Sequence, residues 1–335
     1  MRIIKFMLGS LVALALLGAD AGATEPVKIR AAWVVAVANW PSLFQEKKDL
    51  ARHLGKSYVF EPVHYNGTPL MITAMASGDL EVGTLAYSSL ALAVENAGLD
   101  DMRIIADDFQ DGVGSHFSTE YLVLNDSPIK KVEDLKGKIL ATNAAGSAVD
   151  IAMRAMLRRH GLEDKRDYTM VEAAFPTMRA MLAEKKVDLI PGVIPFALDP
   201  ALRSSARVLF TQKEAIGATQ MIVWAARKGF IDKNRAAMVD MMEDVLRVVR
   251  WYIDPANHKE AVEIAARFTK QPPERFDPWL FTAKDYYRDP DMLPNLEALQ
   301  ANVATQKQLG FIKSDIDVKK YADLSLVEEA ARRLK

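Results

Sequence analysis

The sequence of 335 residues contains no cysteine. This absence excludes disulfide bonds, thiolate nucleophiles and cysteine-ligated metal sites, and it leaves no thiol to carry a lipid anchor. An excess of charge is lacking too, because 43 basic residues nearly balance 44 acidic ones, for a formal net charge of −1 at pH 7. Such a balance does not indicate binding to nucleic acid or to an anionic membrane surface. Any anionic ligand must therefore be attracted by local geometry.

Long apolar runs are lacking beyond residue 23. Before it, Arg2 and Lys5 precede an apolar run over residues 6–17, which Ala21-Gly22-Ala23 follows. This order is typical of a secretory signal peptide, so we predict that residues 1–23 are removed after Ala23 and that the protein acts outside the cytoplasm. An uncleaved membrane anchor is the alternative, but the run is shorter than the roughly 20 residues that a spanning helix needs.

What the sequence does have is a regular alternation of short apolar strands and helices, expected to form parallel or mostly parallel sheets. A chain of this length usually needs two domains. The first unit has predicted strands over 27–37, 58–65, 81–85 and 103–106, and helices over 42–54, 69–77 and 88–96. The second unit has strands over 121–124, 138–142, 167–171 and 188–191, and helices over 148–160 and 175–184.

Two extended segments, 118–125 and 219–226, are predicted crossings between the units. From residue 234 onward the pattern is mainly helical, with helices over 235–252, 258–268, 295–309 and 326–334. In the first of these, Met238, Met241, Met242, Val245 and Val249 recur at helical spacing, which favours core packing over a ligand groove.

Ligands of open α/β sheets bind outside the carboxyl ends of the strands, so the strand-to-helix turns are the candidate sites. Ser147 stands where an N-cap belongs, with Asp150 three residues later. It either only caps its helix or also binds an anion together with the first helical amides. The turns Gly67-Thr68-Pro69 and Tyr87-Ser88-Ser89 carry hydroxyl groups in the same way.

Aromatic and charged residues near these turns have two interpretations each. Trp40 and Tyr87 could cover the apolar part of a ligand, with core burial as the alternative for Trp40. His116, Arg103 and Arg154 could reach the cleft, although an exposed position is the default for each.

The sequence contains little that matches the known residue patterns of catalytic sites and metal sites. The five histidines, at positions 53, 64, 116, 160 and 258, lack the spacing of a zinc site. Asp107, Asp108 and Asp111 predict a solvated acidic loop, since they lack the full ligand pattern of a calcium loop. We therefore predict no catalytic residue, no metal and no cofactor.

The order of several motifs resembles one family over nearly the whole chain beyond residue 23. They are Met71 to Gly83, Asp126-Ser-Pro-Ile-Lys130, Asp134-Leu-Lys-Gly-Lys138, Gly146-Ser147, Met181 to Asp188, Leu309-Gly-Phe311 and Tyr321-Ala-Asp323. Together they resemble the nitrate, sulfonate and taurine group of periplasmic substrate-binding proteins that serve ABC importers.

The resemblance implies a two-lobed periplasmic-binding-protein fold of class α/β, each lobe a mostly parallel sheet flanked by helices, with a helical C-terminal region. One lobe would comprise residues 24–118 and 226–335, and the other residues 119–225. A monomer would close by a hinge motion on a small ligand and dock on a permease in the inner membrane. The ligand-binding residues that it implies are Trp40, Gly67, Thr68, Tyr87, Ser88, Gly146, Ser147, Ala148, Pro191 and Val193.

The resemblance implies a ligand among the alkanesulfonates, taurine, nitrate, some aromatic carboxylates and thiamine-precursor pyrimidines that this family binds. Because the segment 141–147 is apolar for an anion cradle, a ligand with an organic body and one anionic end is favoured over a bare inorganic anion. Two alternatives stay open: an enzyme on the same frame, either pyrimidine-synthase-like or sulfinate-cleaving, and a ligand sensor with a signalling partner. A pyrimidine synthase would need a cysteine-rich motif, which this chain cannot contain.

Overall fold

The computed structural model describes residues 25–335, so the predicted signal peptide, residues 1–23, lies outside the described residues. The strands are β1 (Val27–Trp33), β2 (Tyr58–His64), β3 (Val82–Ala86), β4 (Met102–Asp111), β5 (Glu120–Leu124), β6 (Ile139–Thr142), β7 (Thr169–Glu172), β8 (Ile190–Gly192), β9 (Ala206–Thr211) and β10 (Thr219–Arg227). The helices are α1 (Trp40–Phe44), α2 (Thr68–Ser77), α3 (Tyr87–Asn96), α4 (Ala148–Arg159), α5 (Phe175–Ala183), α6 (Pro200–Ser205), α7 (Gln212–Ile216), α8 (Lys228–Lys233), α9 (Arg235–Ile253), α10 (His258–Thr269), α11 (Leu296–Gln308) and α12 (Ser325–Arg333).

The larger sheet has five strands in the order β2-β1-β3-β10-β4. Strand β1 runs parallel to β2 and β3, as a βαβ pattern requires. Strand β10 returns from the other half of the molecule and lies antiparallel to both β3 and β4. It therefore joins this sheet along its length.

The smaller sheets lie in the other half. Strand β5 is antiparallel to β8 and β9, whereas β6 and β7 are parallel, and a bridge from Leu140 to Leu189 brings β6 beside β8. The sheets are thus mixed, not mostly parallel as predicted. The reason is that β5 and β10 lie in the two predicted crossings between the halves, so each enters its sheet from the opposite end.

Hydrogen bonds hold the first predicted crossing, residues 118–125, to the ends of neighbouring strands. The amide of Gln212 donates to the carbonyl of Thr119 at 2.7 Å, linking the segment after β4 to the segment after β9. Asp111, at the end of β4, accepts hydrogen bonds from the hydroxyl of Ser118 and the amide of Thr119, both at 2.7 Å. The division of the chain into lobes at residues 118 and 226 stays a prediction.

The extent of strand β4 differs from the prediction made from the sequence. It extends to Asp111, and Asp107, Asp108 and Asp111 are buried within it. The prediction of a solvated acidic loop over these residues is wrong. Carboxylates usually mark loops, but here buried donors from distant segments hydrogen-bond them, as described below.

Strand β9 and helices α6, α7 and α8 were not predicted from the sequence, and the predicted elements differ from the structure mainly at their ends. Strand β1 ends at Trp33 instead of residue 37, and the predicted helix over 42–54 is the short α1 followed by a 3₁₀ segment, Gln45–Leu50. The methionines of α9 are fully buried, so the prediction of core packing is confirmed. No helix within residues 25–335 is both long enough and apolar enough to cross a membrane.

Candidate functional site

A small cavity, about 50 Å³, lies between the larger sheet and the start of helix α4. We call it the central cavity. The residues that line it from the larger sheet and its loops include Val34, Val35, Asn39, Thr68, Phe109 and Ile222. The opposite wall includes Asn143, Ser147, Ala148, Val149, Phe175 and Val193, and Tyr286 from the C-terminal region closes it.

Ser147 begins helix α4 as its N-cap. Its hydroxyl accepts a hydrogen bond from the amide of Asp150 at 3.4 Å and donates to Oδ1 of Asn143 at 2.8 Å. Capping by Ser147 is thus confirmed. The first amides of a helix lack an intrahelical acceptor, and Ala148 and Val149 both line the cavity. The positive end of the α4 dipole therefore faces the central cavity.

Gly146 holds this turn without lining the cavity. Its φ of 75° lies in the left-handed region, which favours glycine. In this conformation its amide donates to Oδ2 of Asp150 at 2.8 Å. Nε of Arg154 donates to the other oxygen of Asp150 at 2.9 Å, and a second contact of Arg154 is to Asp164. Arg154 therefore supports the turn from behind and does not reach the cavity.

Gly67 and Thr68 form the facing turn at the start of α2. The hydroxyls of Thr68 and Ser89 lie 2.7 Å apart, which fixes the Thr68 side chain at the cavity wall. A Cβ atom on Gly67 would lie 2.8 Å from Cβ of Ala144, so glycine permits close approach of the two walls. The side-chain amide of Asn143 donates to the carbonyl of Asn66 at 3.1 Å and links the walls directly.

Tyr87 also connects the walls, from behind the cavity. Its ring is fully buried, and its hydroxyl donates to the carbonyl of Ala148 at 3.1 Å. The neighbouring Ser88 is fully buried, and its hydroxyl has no hydrogen-bond partner among residues 25–335. Neither residue lines the central cavity.

Trp40 is buried one layer behind the cavity. Its ring stacks on Phe281 with centroids 5.5 Å apart, and the guanidinium of Arg288 lies 4.6 Å from its centroid. The preceding residue, Asn39, lines the cavity instead. Oδ1 of Asn39 accepts hydrogen bonds from the amides of Val34 and Val35 at 3.0 and 2.9 Å, so Asn39 shapes this loop.

Asp108 anchors the same loop. It accepts hydrogen bonds from Nδ2 of Asn39 at 2.6 Å, the amide of Trp40 at 3.1 Å and Nε1 of Trp224 at 2.8 Å. Burial raises the pKa of Asp108, while these hydrogen bonds and the charge of Arg288 act in the opposite direction. The buried carboxylate therefore accepts three hydrogen bonds from two segments, the Asn39-Trp40 loop and strand β10.

Two further carboxylates of β4 are buried nearby. Burial raises the pKa of Asp107 to about 8, opposed by a hydrogen bond from Gln220. Burial likewise raises the pKa of Asp111 to about 6, opposed by hydrogen bonds from Ser118 and Thr119. Both groups lie behind the cavity and support the sheet and the crossing.

The lining of the central cavity contains no charged side chain among the described residues. Arg103 donates to backbone carbonyls of its own turn, at Asp100 and Met102. His116 lies 3.2 Å from the carbonyl of Asp285. Neither residue lines the cavity. An anion in the cavity would therefore interact with the α4 dipole and with the polar groups of Thr68, Asn143 and Ser147.

A larger cavity, about 350 Å³, lies beside the central one, and Phe175 lines both. We call it the side cavity. The remaining candidate, Pro191, lines the side cavity, as do Gly192 and Pro195. Asp199 lies at its wall with Arg179 and Arg275. Of the candidate residues, the central cavity thus brings together Thr68, Ser147, Ala148 and Val193.

Sequence reasoning missed other residues of the lining, among them Asn39, Phe109, Asn143, Phe175, Met221 and Tyr286. Asn143 stands four residues before Ser147, and its place in the predicted turn could have identified it. Tyr286 lies in an irregular segment far along the chain, for which the sequence gives no such signal. Within residues 25–335, no group of three His, Asp or Glu side chains is arranged to hold a metal ion.

Solved structures share this fold at low sequence identity. The alkanesulfonate-binding protein SsuA from Xanthomonas axonopodis pv. citri, bound to MOPS, is 16% identical with a TM-score of 0.68, over 90% of this chain and 99% of that one. The periplasmic nitrate-binding protein NrtA from Synechocystis PCC 6803 is 15% identical with a TM-score of 0.70, over 93% and 90%. A mutant of DSZB in complex with biphenyl-2-sulfinic acid is 13% identical with a TM-score of 0.59, over 91% and 99%.

Comparison of the sequence with models of protein families identifies a family, whereas the solved structures show only the fold. No curated protein matches the sequence. Residues 22–266 match the model of the NMT1-like family. The two-lobed α/β fold predicted from the sequence is confirmed by the solved structures, and the chain belongs to the NMT1-like family.

Proposed function

We propose that this chain is the solute-binding component of an ABC importer and captures a small organic anion between its two lobes. The family and the likeness to SsuA and NrtA, both named as binding proteins, support this role. The observation that carries the proposal is the start of α4, where Ser147, Ala148 and Val149 line the same cavity as Thr68.

The chemistry of the central cavity favours an organic ligand over a bare inorganic anion. Most of its lining is apolar, with Val34, Val35, Phe109, Met221 and Ile222 on one side. Such surface contacts a hydrocarbon body, while the α4 amides and nearby hydroxyls bind an acidic group. We propose Thr68, Ser147, Ala148 and Val193 as direct contacts, with Trp40, Gly67, Tyr87, Ser88 and Gly146 supporting them and Pro191 in the adjoining cavity.

Entry of such a ligand requires the lobes to separate. The central cavity is about 50 Å³, smaller than the roughly 300 Å³ at which ligand pockets begin. Hydrogen bonds that cross between the walls, from Asn143 to Asn66 and from Tyr87 to Ala148, are contacts of a closed arrangement. We propose that hinge opening breaks these bonds and that a ligand touching both walls restores them.

The proposed partner is an ABC permease in the inner membrane. In this scheme residues 1–23 direct export and are removed after Ala23, and the protein acts in the periplasm as a monomer. The closed, ligand-bound form would dock on the permease and release its ligand there.

Binding is favoured over catalysis, although DSZB with its bound sulfinic acid shares the fold. The described lining of the central cavity holds no His, Asp or Glu, the commonest side chains of acid–base catalysis. The chain has no cysteine to serve as a nucleophile. A sensing role would use the same cavity, and a permease that binds only the ligand-bound protein would distinguish transport from it.

The experiment is a thermal-shift screen of protein refolded from denaturant, against alkanesulfonates, taurine, nitrate, aromatic carboxylates and pyrimidines. A ligand at about 100 times its Kd adds about 2.7 kcal/mol, enough to raise Tm by a few degrees. A shift with organic anions supports capture. If no compound raises Tm while the refolded protein has native circular dichroism, the proposal fails for these classes.

The role of the α4 start is tested by Ser147→Gly. Glycine keeps most of the N-cap preference, so stability should fall by only a few tenths of a kcal/mol. Loss of the hydroxyl and loosening of the turn should weaken binding of the identified ligand roughly tenfold in calorimetry. Asn295→Gly is the matched control, because Asn295 caps α11 through the amide of Ala298, away from both cavities. Equal affinity in the two variants would contradict the role of Ser147.

A further inference from the structure

The side cavity lies between two parts of the chain, which gives it the same relation to closure as the central cavity. One wall comes from α5, β8 and the segment that leads into α6. The opposite wall comes from Ala36 and from residues between Thr269 and Phe276, which follow α10. A molecule bound there would touch both walls and stabilise the closed arrangement.

Its size and surface suit an aromatic ring. The cavity volume of about 350 Å³ is within the range of small-molecule sites, whereas the central cavity is well below it. The rings of Phe175 and Phe196 are nearly parallel, at 18°, with centroids 6.2 Å apart, and both line the cavity. Phe276, Pro191 and Leu202 add apolar surface around them.

Its charged groups suit an acid. Arg275 donates to Oδ2 of Asp199 from one terminal nitrogen and to Gln271 at 2.6 Å from the other. Nε of Arg179 lies 3.8 Å from the same Oδ2, and the Arg179 side chain is 49% exposed. Oδ1 of Asp199 instead accepts the amide of Ala201 at 2.8 Å, as the N-cap of α6.

These contacts leave one positive charge in excess, since two guanidinium groups share one carboxylate. The described lining of the central cavity has no charged side chain at all. An anionic group would therefore find its cations in the side cavity, where Asp199 is its competitor.

We propose that the side cavity is a binding site for an aromatic monoanion, an aryl carboxylate or sulfonate. Its ring lies against Phe175 and Phe196, and its acidic group pairs with Arg179 and Arg275. This inference rests on the proposed function, because it names the ligand class. For an aryl anion, the guanidinium groups of the side cavity replace the α4 amides as the partners of the acid.

The test is isothermal titration calorimetry of the refolded protein with three probes: 2-naphthoate, naphthalene-2-sulfonate and the neutral 2-naphthalenemethanol. Either anion should bind more tightly than the alcohol. Arg179→Met should lower the affinity for the tighter-binding anion roughly tenfold, because a charge-assisted contact is lost. The affinity for the alcohol should not change. Arg235→Met is the matched control, since Arg235 is 43% exposed and pairs with Glu329, away from both cavities.

Asp199→Asn gives an independent readout. Asparagine caps helices as well as aspartate, so α6 should be preserved while the competing charge is removed. The anions should then bind several-fold more tightly, which a merely structural ion pair would not produce. Unchanged or weaker binding in this variant would overturn the assignment of the acid to these guanidinium groups.

The remaining outcomes separate this inference from the function on which it rests. If 2-naphthoate binds equally to wild type and Arg179→Met but is lost in Ser147→Gly, the acid lies in the central cavity; the side-cavity site is overturned and ligand capture stands. If neither aryl anion binds while ethanesulfonate raises Tm, the ligand class is overturned and capture again stands. If no anion of any kind binds, both proposals fail.

Discussion

The wall of the central cavity that comes from the larger sheet is held by contacts between residues far apart in sequence, whereas the turn that begins α4 on the other wall is held by contacts between near neighbours. Asp108 bonds Asn39 across 69 positions and Trp224 across 116. On the other wall, Ser147 and Asp150 are three residues apart, and Asp150 and Arg154 four. The first wall thus needs the assembled sheet, while the turn that begins α4 is specified locally. This difference predicts unequal responses to the loss of one carboxylate.

The largest effect should follow from Asp108→Ala. Three buried donors would lose their acceptor, and the buried Arg288 would lose a nearby negative charge. Removing one partner from such a network costs about 3–5 kcal/mol, because the remaining groups stay buried and unpaired. Urea denaturation of wild type and variant measures the change in the free energy of unfolding.

Asp150→Ala is the matched change on the other wall. Arg154 would keep Asp164, which lies 2.8 Å away and is partly exposed, so the loss should be about 1–2 kcal/mol. A loss as large as that of Asp108→Ala would show that the two walls are held alike.

An effect between these two, dependent on pH, is expected from Asp111→Asn. The pKa of Asp111 is about 6 in the folded protein and ordinarily 3.8, so the folded state holds the proton more tightly. The resulting stabilisation is complete below pH 3.8 and is lost as pH rises through 6, by about 3 kcal/mol in all. Asparagine can accept from the Thr119 amide and donate to the Ser118 hydroxyl without this titration.

The measurement is urea denaturation of both proteins between pH 4 and pH 7. Relative to wild type, the free energy of unfolding of Asp111→Asn should rise by about 2.4 kcal/mol across this range. Asp315→Asn serves as the control, because the Asp315 side chain is 90% exposed. If the free energies of unfolding of wild type and Asp111→Asn change with pH in parallel, the crossing does not contain a titrating carboxylate.

The same contrast explains which parts of the site could be predicted from sequence. The cap of Ser147 depends on Asn143 and Asp150, within four positions, and so the local sequence identifies it. The Thr68 hydroxyl depends instead on Ser89, 21 positions away. Asp107, Asp108 and Asp111 could not be distinguished from a solvated loop, since their donors come from Asn39, Ser118, Gln220 and Trp224. Their burial is decided by the sheet order, in which β10 lies beside β4.

The fold, too, has some features that local sequence predicts and others that depend on distant contacts. Alternating apolar and polar stretches identify most strands and helices, because their periodicity is local. The direction of a crossing strand within its sheet is not determined by the local sequence. The mixed sheets could therefore not be predicted from the sequences of β5 and β10 alone. The side cavity is of this kind too, since Phe175 and Phe276 are brought together only by the packing of α5 against the segment after α10.

The smallest effect tests how closely the two walls approach. In Gly67→Ala the new Cβ would lie 2.8 Å from Cβ of Ala144, while the φ of −170° at Gly67 is open to any residue. The walls can relieve this clash by moving apart, so we expect a cost of about 1–2 kcal/mol to closure and little change in the urea midpoint. In small-angle scattering with the ligand from the screen, the variant should need roughly tenfold more ligand to reach the compact form. Gly229→Ala, where a Cβ would meet nothing within 4 Å, should behave as wild type. A Gly67→Ala protein that compacts at the wild-type ligand concentration would show that closure does not bring these turns together.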